Sequence, residues 1–180
     1  MGDPKKSKKK YIEGKPKKLW NKQLLMEELQ LVGEYGLRNK RELWLAKTIL
    51  RKIKHRARAL LALPIDVRVQ EEKVFKEKLY RMGFIHDIDV PLDAILSLDV
   101  RTILERRLQT LVYRRGLARS IYEARQLITH RHIAINGRII NAPSFLVPRD
   151  LEDKITYAPT SPLYKRLVQG LPVFGPTQSS

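Results

Sequence analysis

The sequence predicts an α+β fold, with a mainly helical part over residues 21–100 and a small module of two helices and a short β-hairpin over 101–158. Three observations predict it. Up to about residue 130, apolar residues recur at spacings of three and four, the period of a helix with one buried face. Gly36, Pro64, Gly83, Pro91 and Gly116 fall where those runs end, as helix stops should. From Ile133 the period drops to two, and Asn136-Gly137 supplies the two positive φ angles of a type I′ hairpin turn.

The first helix is expected over residues 21–35, with Leu25, Leu29 and Val32 on its inner side and Gly36 as its stop. Asn39 caps the second, and Glu42, three residues on, completes capping-box spacing. Leu43, Ala46, Leu50, Ile53, Ala57 and Leu60 carry its apolar stripe to Pro64. A third helix over 67–82 buries Phe75, Leu79 and Met82 and has mixed charges, which marks it as structural. Residues 84–98 break at Pro91 and hold a short helix, the pattern of a connector. In the module, Asp99 caps a helix that turns Ile103, Leu104, Leu108 and Leu111 inward and ends at Gly116. Ser120 and Glu123 cap the next, whose Ala124, Leu127 and Ile128 face inward and whose Arg125 points outward. Beyond the hairpin, short strands are expected at 145–147 and 154–157. Residues 1–20 read as a basic disordered or extended tail, and 159–180, with prolines at 159, 162, 172 and 176, as an extended C-terminal tail.

Charge sets the partner class. The 180 residues carry 36 Lys and Arg against 19 Asp and Glu, a net charge of +17, which favours a polyanion such as nucleic acid. The excess sits in three blocks, +7 over residues 1–22, +8 over 38–58 and +7 over 101–138, so a long ligand is met at several places. In the second block Lys47, Arg51, Lys54 and Arg58 follow at four, three and four, a basic stripe beside the apolar one. Solubilising faces usually mix signs, yet Glu42 is the only acid from 38 to 58. The third block holds nine arginines and no lysine, and arginine is the side chain that grips a phosphate with two parallel hydrogen bonds or stacks on a base.

The order of helix, Gly, capped helix and NG hairpin resembles the RNA-binding module named after small-subunit ribosomal protein S-four. The likeness is carried by Arg106-Arg107-Leu108, Gly116-Leu117-Ala118-Arg119-Ser120, Ala124-Arg125-Gln126-Leu127-Ile128, His132-Ile133 and Ile135-Asn136-Gly137, with Pro143-Ser144-Phe145 and Asp153-Lys154-Ile155 closing it. Tyr35-Gly36-Leu37-Arg38-Asn39-Lys40-Arg41-Glu42 and Leu104-Glu105-Arg106-Arg107-Leu108-Gln109-Thr110 extend the likeness to the archaeal and eukaryotic branch of that ribosomal family, over roughly residues 20–160. The resemblance implies a helical domain beside the module, early binding to small-subunit ribosomal RNA and neighbouring ribosomal proteins as partners. Two departures stand out. The family often has Gly before the residue matching His132 and Gly-Asp before the final strand, where this chain has Arg131 and Glu152-Asp153, residues for which a positive φ is less comfortable.

The expected RNA-binding set is therefore Lys47, Arg51, Lys54 and Arg58 on the long helix, with Arg106, Arg107, Arg119, Ser120, Arg125, His130, Arg131, His132, Asn136 and Arg138 in the module. Shape recognition of a folded RNA junction is expected, because duplex RNA hides its base edges. Arg114 and Arg115, at a helix end, read equally well as dipole partners there, and Arg101 has no assignment.

The absence of cysteine excludes a disulfide framework and a Cys-based zinc site, including the zinc site of some bacterial members of the family. The His130-x-His132 pair lacks a third ligand, and His86, Asp87 and Asp89 read as a turn with carboxylate caps. There is no Gly-rich phosphate loop and no nucleophile-elbow spacing, so no enzyme, metal or cofactor is expected. No stretch reaches the roughly 18 apolar residues of a membrane span, and a soluble, cytoplasmic protein with no membrane partner is expected. The alternative function is an RNA-modifying enzyme that uses the module as an appendage, and a DNA binder is the reading that charge alone permits.

Overall fold

Asn39 starts the longest helix of the chain, its Oδ1 accepting the Glu42 amide at 3.2 Å. The computed structural model describes residues 14–15 and 20–168, and that helix, α2, spans Lys40–Leu61 between α1, Lys22–Glu34, and α3, Ile65–Arg81. Two short helices follow, α4 at Leu92–Ser97 and α5 at Val100–Glu105. α2 is the spine of this part. Its Leu43, Ala46, Leu50, Ile53, Ala57 and Leu60 are all buried, packed with Tyr35, Leu79, Phe84, Ile95, Ile103 and Leu104 in a first core. Burying such a stripe removes apolar surface from water at about 25 cal/mol per Å².

The second core belongs to α6, Leu108–Arg114, α7, Ile121–Thr129, and a sheet of β1, Ile133–Ile135, β2, Arg138–Ile139, and β3, Ile155–Tyr157. The strand order is β2-β1-β3, and both pairings are antiparallel. Asn136 (φ 51°) and Gly137 (φ 76°) make the expected I′ turn. Leu108, Leu111, Val112, Leu127, Ile128, Ile133, Ile135, Val147, Ile155 and Tyr157 fill the space between helices and sheet. A four-residue helix, α8 at Arg149–Glu152, precedes β3, and α9, Pro162–Val168, follows it.

Several expectations are corrected. The helix expected to run unbroken to Gly116 is split, because Arg107 is extended (ψ 141°) and 106–109 pair with the loop before α8 instead. Leu108 N donates to Phe145 O at 2.8 Å, Gln109 N to Pro143 O at 3.3 Å and Val147 N to Arg106 O at 3.0 Å. For the same reason the strand expected at 145–147 is a single bridge between Arg107 and Leu146. α1 does not bury Leu29, which is 49% exposed; its one fully buried side chain is Glu28. The stretch read as an extended tail from 159 contains α9, and 169–180 lie outside the described residues. Most of the 1–20 tail lies outside them as well.

Four helices end in the same way. After α1, α3, α6 and α7 the chain makes paired 6→1 and 5→2 backbone bonds, as in Leu37 N to Val32 O and Gly36 N to Gly33 O, the Schellman arrangement. Its left-handed residue is Gly36, Gly83 and Gly116 in three cases and Arg131 (φ 64°) in the fourth. At the other family departure, before β3, Asp153 keeps φ −70° and no strain arises.

Candidate nucleic-acid interface

The basic stripe of α2 lines one groove. Lys47, Arg51, Lys54 and Arg58 surround an open depression of about 300 Å³ floored by Leu50 and by Val100 of α5. Arg51 and Arg58 are exposed and have no hydrogen-bond or ion-pair partner among the described residues. Lys47 is committed at its base: its Nζ donates to Glu28 Oε1 at 2.8 Å. Trp44 Nε1 also donates to that oxygen, at 3.1 Å, and Lys40 lies 3.5 Å from the other. Burial alone pushes the Glu28 pKa up, but the Lys47 and Trp44 bonds and the Lys47 and Lys40 charges outweigh it and leave the carboxyl below its ordinary value.

The module's arginines divide into two sets. Arg107 is the most enclosed, its side chain 6% exposed, with Nη2 donating to Glu42 Oε2 at 2.6 Å. Arg125 donates from Nη2 to Glu42 Oε1 at 2.6 Å and from Nη1 to Gln109 Oε1 at 3.2 Å. Gln109 in turn donates to Gly36 O and Ile121 O, each at 3.0 Å. This network ties α2 and the α1–α2 turn to α6 and α7. Desolvation raises the Glu42 pKa, but its bond from Arg125 and the Arg107 charge lower it further, so the carboxyl stays below the usual range. Burial pushes the Arg107 pKa down against the raising effect of Glu42. Arg106 donates to Glu152 Oε2 at 2.7 Å and to Val147 O at 2.9 Å.

Arg106, Arg107 and Arg125, expected on RNA, each bond a carboxylate within the chain, and Arg106 a carbonyl as well. The Nε atoms of Arg106 and Arg107 are buried with no partner among the described residues. Glu42 leaves its Asn39 capping role half complete for the same reason, since its carboxylate reaches the arginines. The outward set is Arg119, Arg131 and Arg138, all exposed. Arg131 and Arg138 have no ion-pair partner among the described residues. Arg119 stands at the start of α7, where its amide donates to Glu123 Oε2 at 2.6 Å.

Ser120 is a cap, its Oγ accepting the Glu123 amide at 3.1 Å, and Asn136 is exposed at the hairpin tip. His130 is exposed, whereas His132 is half-buried with Nδ1 3.0 Å from Ser161 Oγ; the rings lie 6.5 Å apart, so the pair does not converge. No group of three or more His, Cys, Asp or Glu among the described residues is placed to hold a metal. His86 uses its carbonyl to accept Arg149 Nη1 at 3.2 Å. Arg114 and Arg115 pair with Glu105 at 2.8 Å and Asp153 at 2.6 Å, and Arg101 with Glu34 at 2.5 Å.

Sequence reasoning missed two positions. A Cβ on Gly14 (φ +80°) would sit 2.3 Å from Trp44 O, so part of the N-terminal segment rests against α2 where only glycine fits. Tyr122, 62% exposed on α7, carried a signal that went unused: an aromatic on the polar side of a helix.

A helical part clamped by part-buried ion pairs to a helix-helix-hairpin module with outward arginines defines a class, and residues 106–153 match the family model described as S4 domain. Over 168 residues the chain is 64% identical to a protein named small ribosomal subunit protein uS4 from Caldivirga maquilingensis, with 93% of each chain covered. It is 70% identical over 156 residues to the uS4 protein of Pyrobaculum islandicum, covering 87% of this chain and 98% of that one. The uS4 protein of Ignicoccus hospitalis is 56% identical over 169 residues, 94% of this chain and all of that one. The chain belongs to the uS4 family of small ribosomal subunit proteins, in its archaeal form. That family is structural and not enzymatic, which removes the RNA-modifying alternative.

Proposed function

We propose that this chain binds small-subunit ribosomal RNA early in assembly and holds several RNA helices together, beside neighbouring ribosomal proteins on the cytoplasmic ribosome. The observation that carries the reading is the division of the basic residues. Arg106, Arg107 and Arg125 are paired with carboxylates inside the chain, while Arg51, Arg58, Arg131 and Arg138 stand in solvent with no carboxylate partner among the described residues. Exposed cations kept apart from available acids are stabilised by an outside polyanion, and phosphates supply it. Because the two cores are joined by the Glu42 network, the stripe on α2 and the arginines of the hairpin are held at a fixed separation, which suits recognition of RNA by shape. A membrane partner is not part of the reading; no described helix is long and apolar enough to cross one.

A filter-binding titration tests it. Affinity for small-subunit ribosomal RNA should exceed that for duplex DNA at every salt concentration, and both should fall as salt rises. Equal affinity for the two ligands throughout would sink the reading.

A further inference from the structure

The outer face of α7 holds a cleft unlike the phosphate-facing surface. Tyr122, Gln126 and Thr129 lie on α7, with His130 as its C-cap, at spacings that bring them to one side of the helix. With Arg38 and Leu37 of the α1–α2 turn they line an open cleft of about 520 Å³. Small-molecule sites commonly enclose roughly 300–1,000 Å³. The Tyr122 ring is 62% exposed and makes no ring contact or hydrogen bond among the described residues. The side-chain amide of Gln126 and the guanidinium of Arg38 are likewise exposed and without a partner there. The floor is rigid: Arg125 is fixed to Glu42 at 2.6 Å and Gly36 is pressed against Ile121 and Gln109.

The parts of this cleft match one kind of ligand. An aromatic face, an amide able both to donate and to accept, and a cation beside them correspond to the π-face, polar edge and phosphate of a nucleotide. An apolar peptide would leave Gln126 and Arg38 unanswered, and duplex RNA would offer Tyr122 no face on which to stack. We propose that the cleft takes one unstacked base of the ribosomal RNA, with Tyr122 stacking on it, Gln126 bonding its edge and Arg38 holding the adjoining phosphate. This rests on the ribosomal RNA reading above and adds sequence information at a single nucleotide to recognition otherwise governed by shape.

The test uses the full chain and small-subunit ribosomal RNA. Alanine in place of a stacking aromatic should weaken binding by about fivefold or more, and Tyr122→Phe, which keeps the ring, should stay within about twofold of the parent. Because no charge is lost, Tyr122→Ala should leave the salt slope unchanged, whereas Arg138→Ala lowers it. Base-specific chemical probing should show one nucleotide protected by the parent and by Tyr122→Phe but reactive with Tyr122→Ala and Gln126→Ala. Binding by Tyr122→Ala equal to the parent, or loss in Tyr122→Phe as large as in Tyr122→Ala, overturns the inference. Preference of the parent for ribosomal RNA over duplex DNA would survive either result; its absence instead defeats the underlying reading.

Discussion

Glu42 and Arg125 lie 83 residues apart in sequence and meet through a hydrogen bond of 2.6 Å that joins the helical part to the RNA-binding module. Arg107 approaches the other oxygen of the same carboxylate at 2.6 Å, so one acid bridges two arginines and leaves the triad with a single net positive charge.

Removing that acid leaves the Arg107 guanidinium enclosed and unpaired. Breaking a buried pair by deleting one partner typically costs about 3–5 kcal/mol, so Glu42→Ala should lower the urea midpoint of unfolding markedly. An unchanged midpoint would mean that the network contributes nothing to holding the two parts together.

Acid should act through the same groups. The folded pKa values of Glu28 and Glu42 lie below the ordinary 4.5. A depressed folded pKa means that the unfolded chain binds more protons in that window, so the stabilisation is complete above the unfolded pKa and is lost as pH falls through the folded one. Unfolding free energy measured against pH should therefore be level above about pH 5 and fall below it. The acid limb should flatten in Glu28→Gln and Glu42→Gln.

Alkali should act on Tyr35. Burial and its hydrogen bond to Glu105 at 2.9 Å push its pKa from 10.0 up to about 12. With the folded value raised, its contribution is complete below pH 10 and disappears as pH rises toward 12. In an ultraviolet titration Tyr35 should ionise late in the folded protein, as should Tyr157, whose pKa burial also raises, and Tyr35→Phe should shrink the late phase by one tyrosine.

Arg131 occupies a left-handed turn position that glycine takes after three other helices. The left-handed conformation costs a non-glycine residue roughly 1–2 kcal/mol, part of which glycine gives back as chain entropy. Arg131→Gly should raise stability by about 1 kcal/mol while weakening RNA binding. A variant that is both more stable and an equal binder would show that the strain serves no RNA contact.

Arg138 and Arg106 should separate in a salt series. Replacing Arg138, exposed on β2, by alanine should lower the log-log salt slope by about 1 with little change in stability. Arg106→Ala should instead lower stability, because Glu152 and the Val147 carbonyl lose their donor.

Much of the fold was legible because its signals are local. The cap at Asn39, the stop at Gly83, the apolar stripe from Leu43 to Leu60 and the turn at Asn136-Gly137 each depend on residues within a few positions of one another. The split between α5 and α6 was not legible, since it arises from backbone pairing with a segment some forty residues away. Nor was the fate of the arginines. Periodicity shows that Arg125 lies off the apolar face of its helix, but not that Glu42 waits there to receive it.

By itself the sequence determined the α+β class, the helix boundaries set by glycine and proline, the hairpin and the strongly basic charge, because composition and short-range spacing carry those properties. Only the tertiary structure decided which cations face solvent. A charge is withdrawn from the solvent-facing set when an acid distant in the chain is folded against it, and that pairing is settled by how the two cores dock.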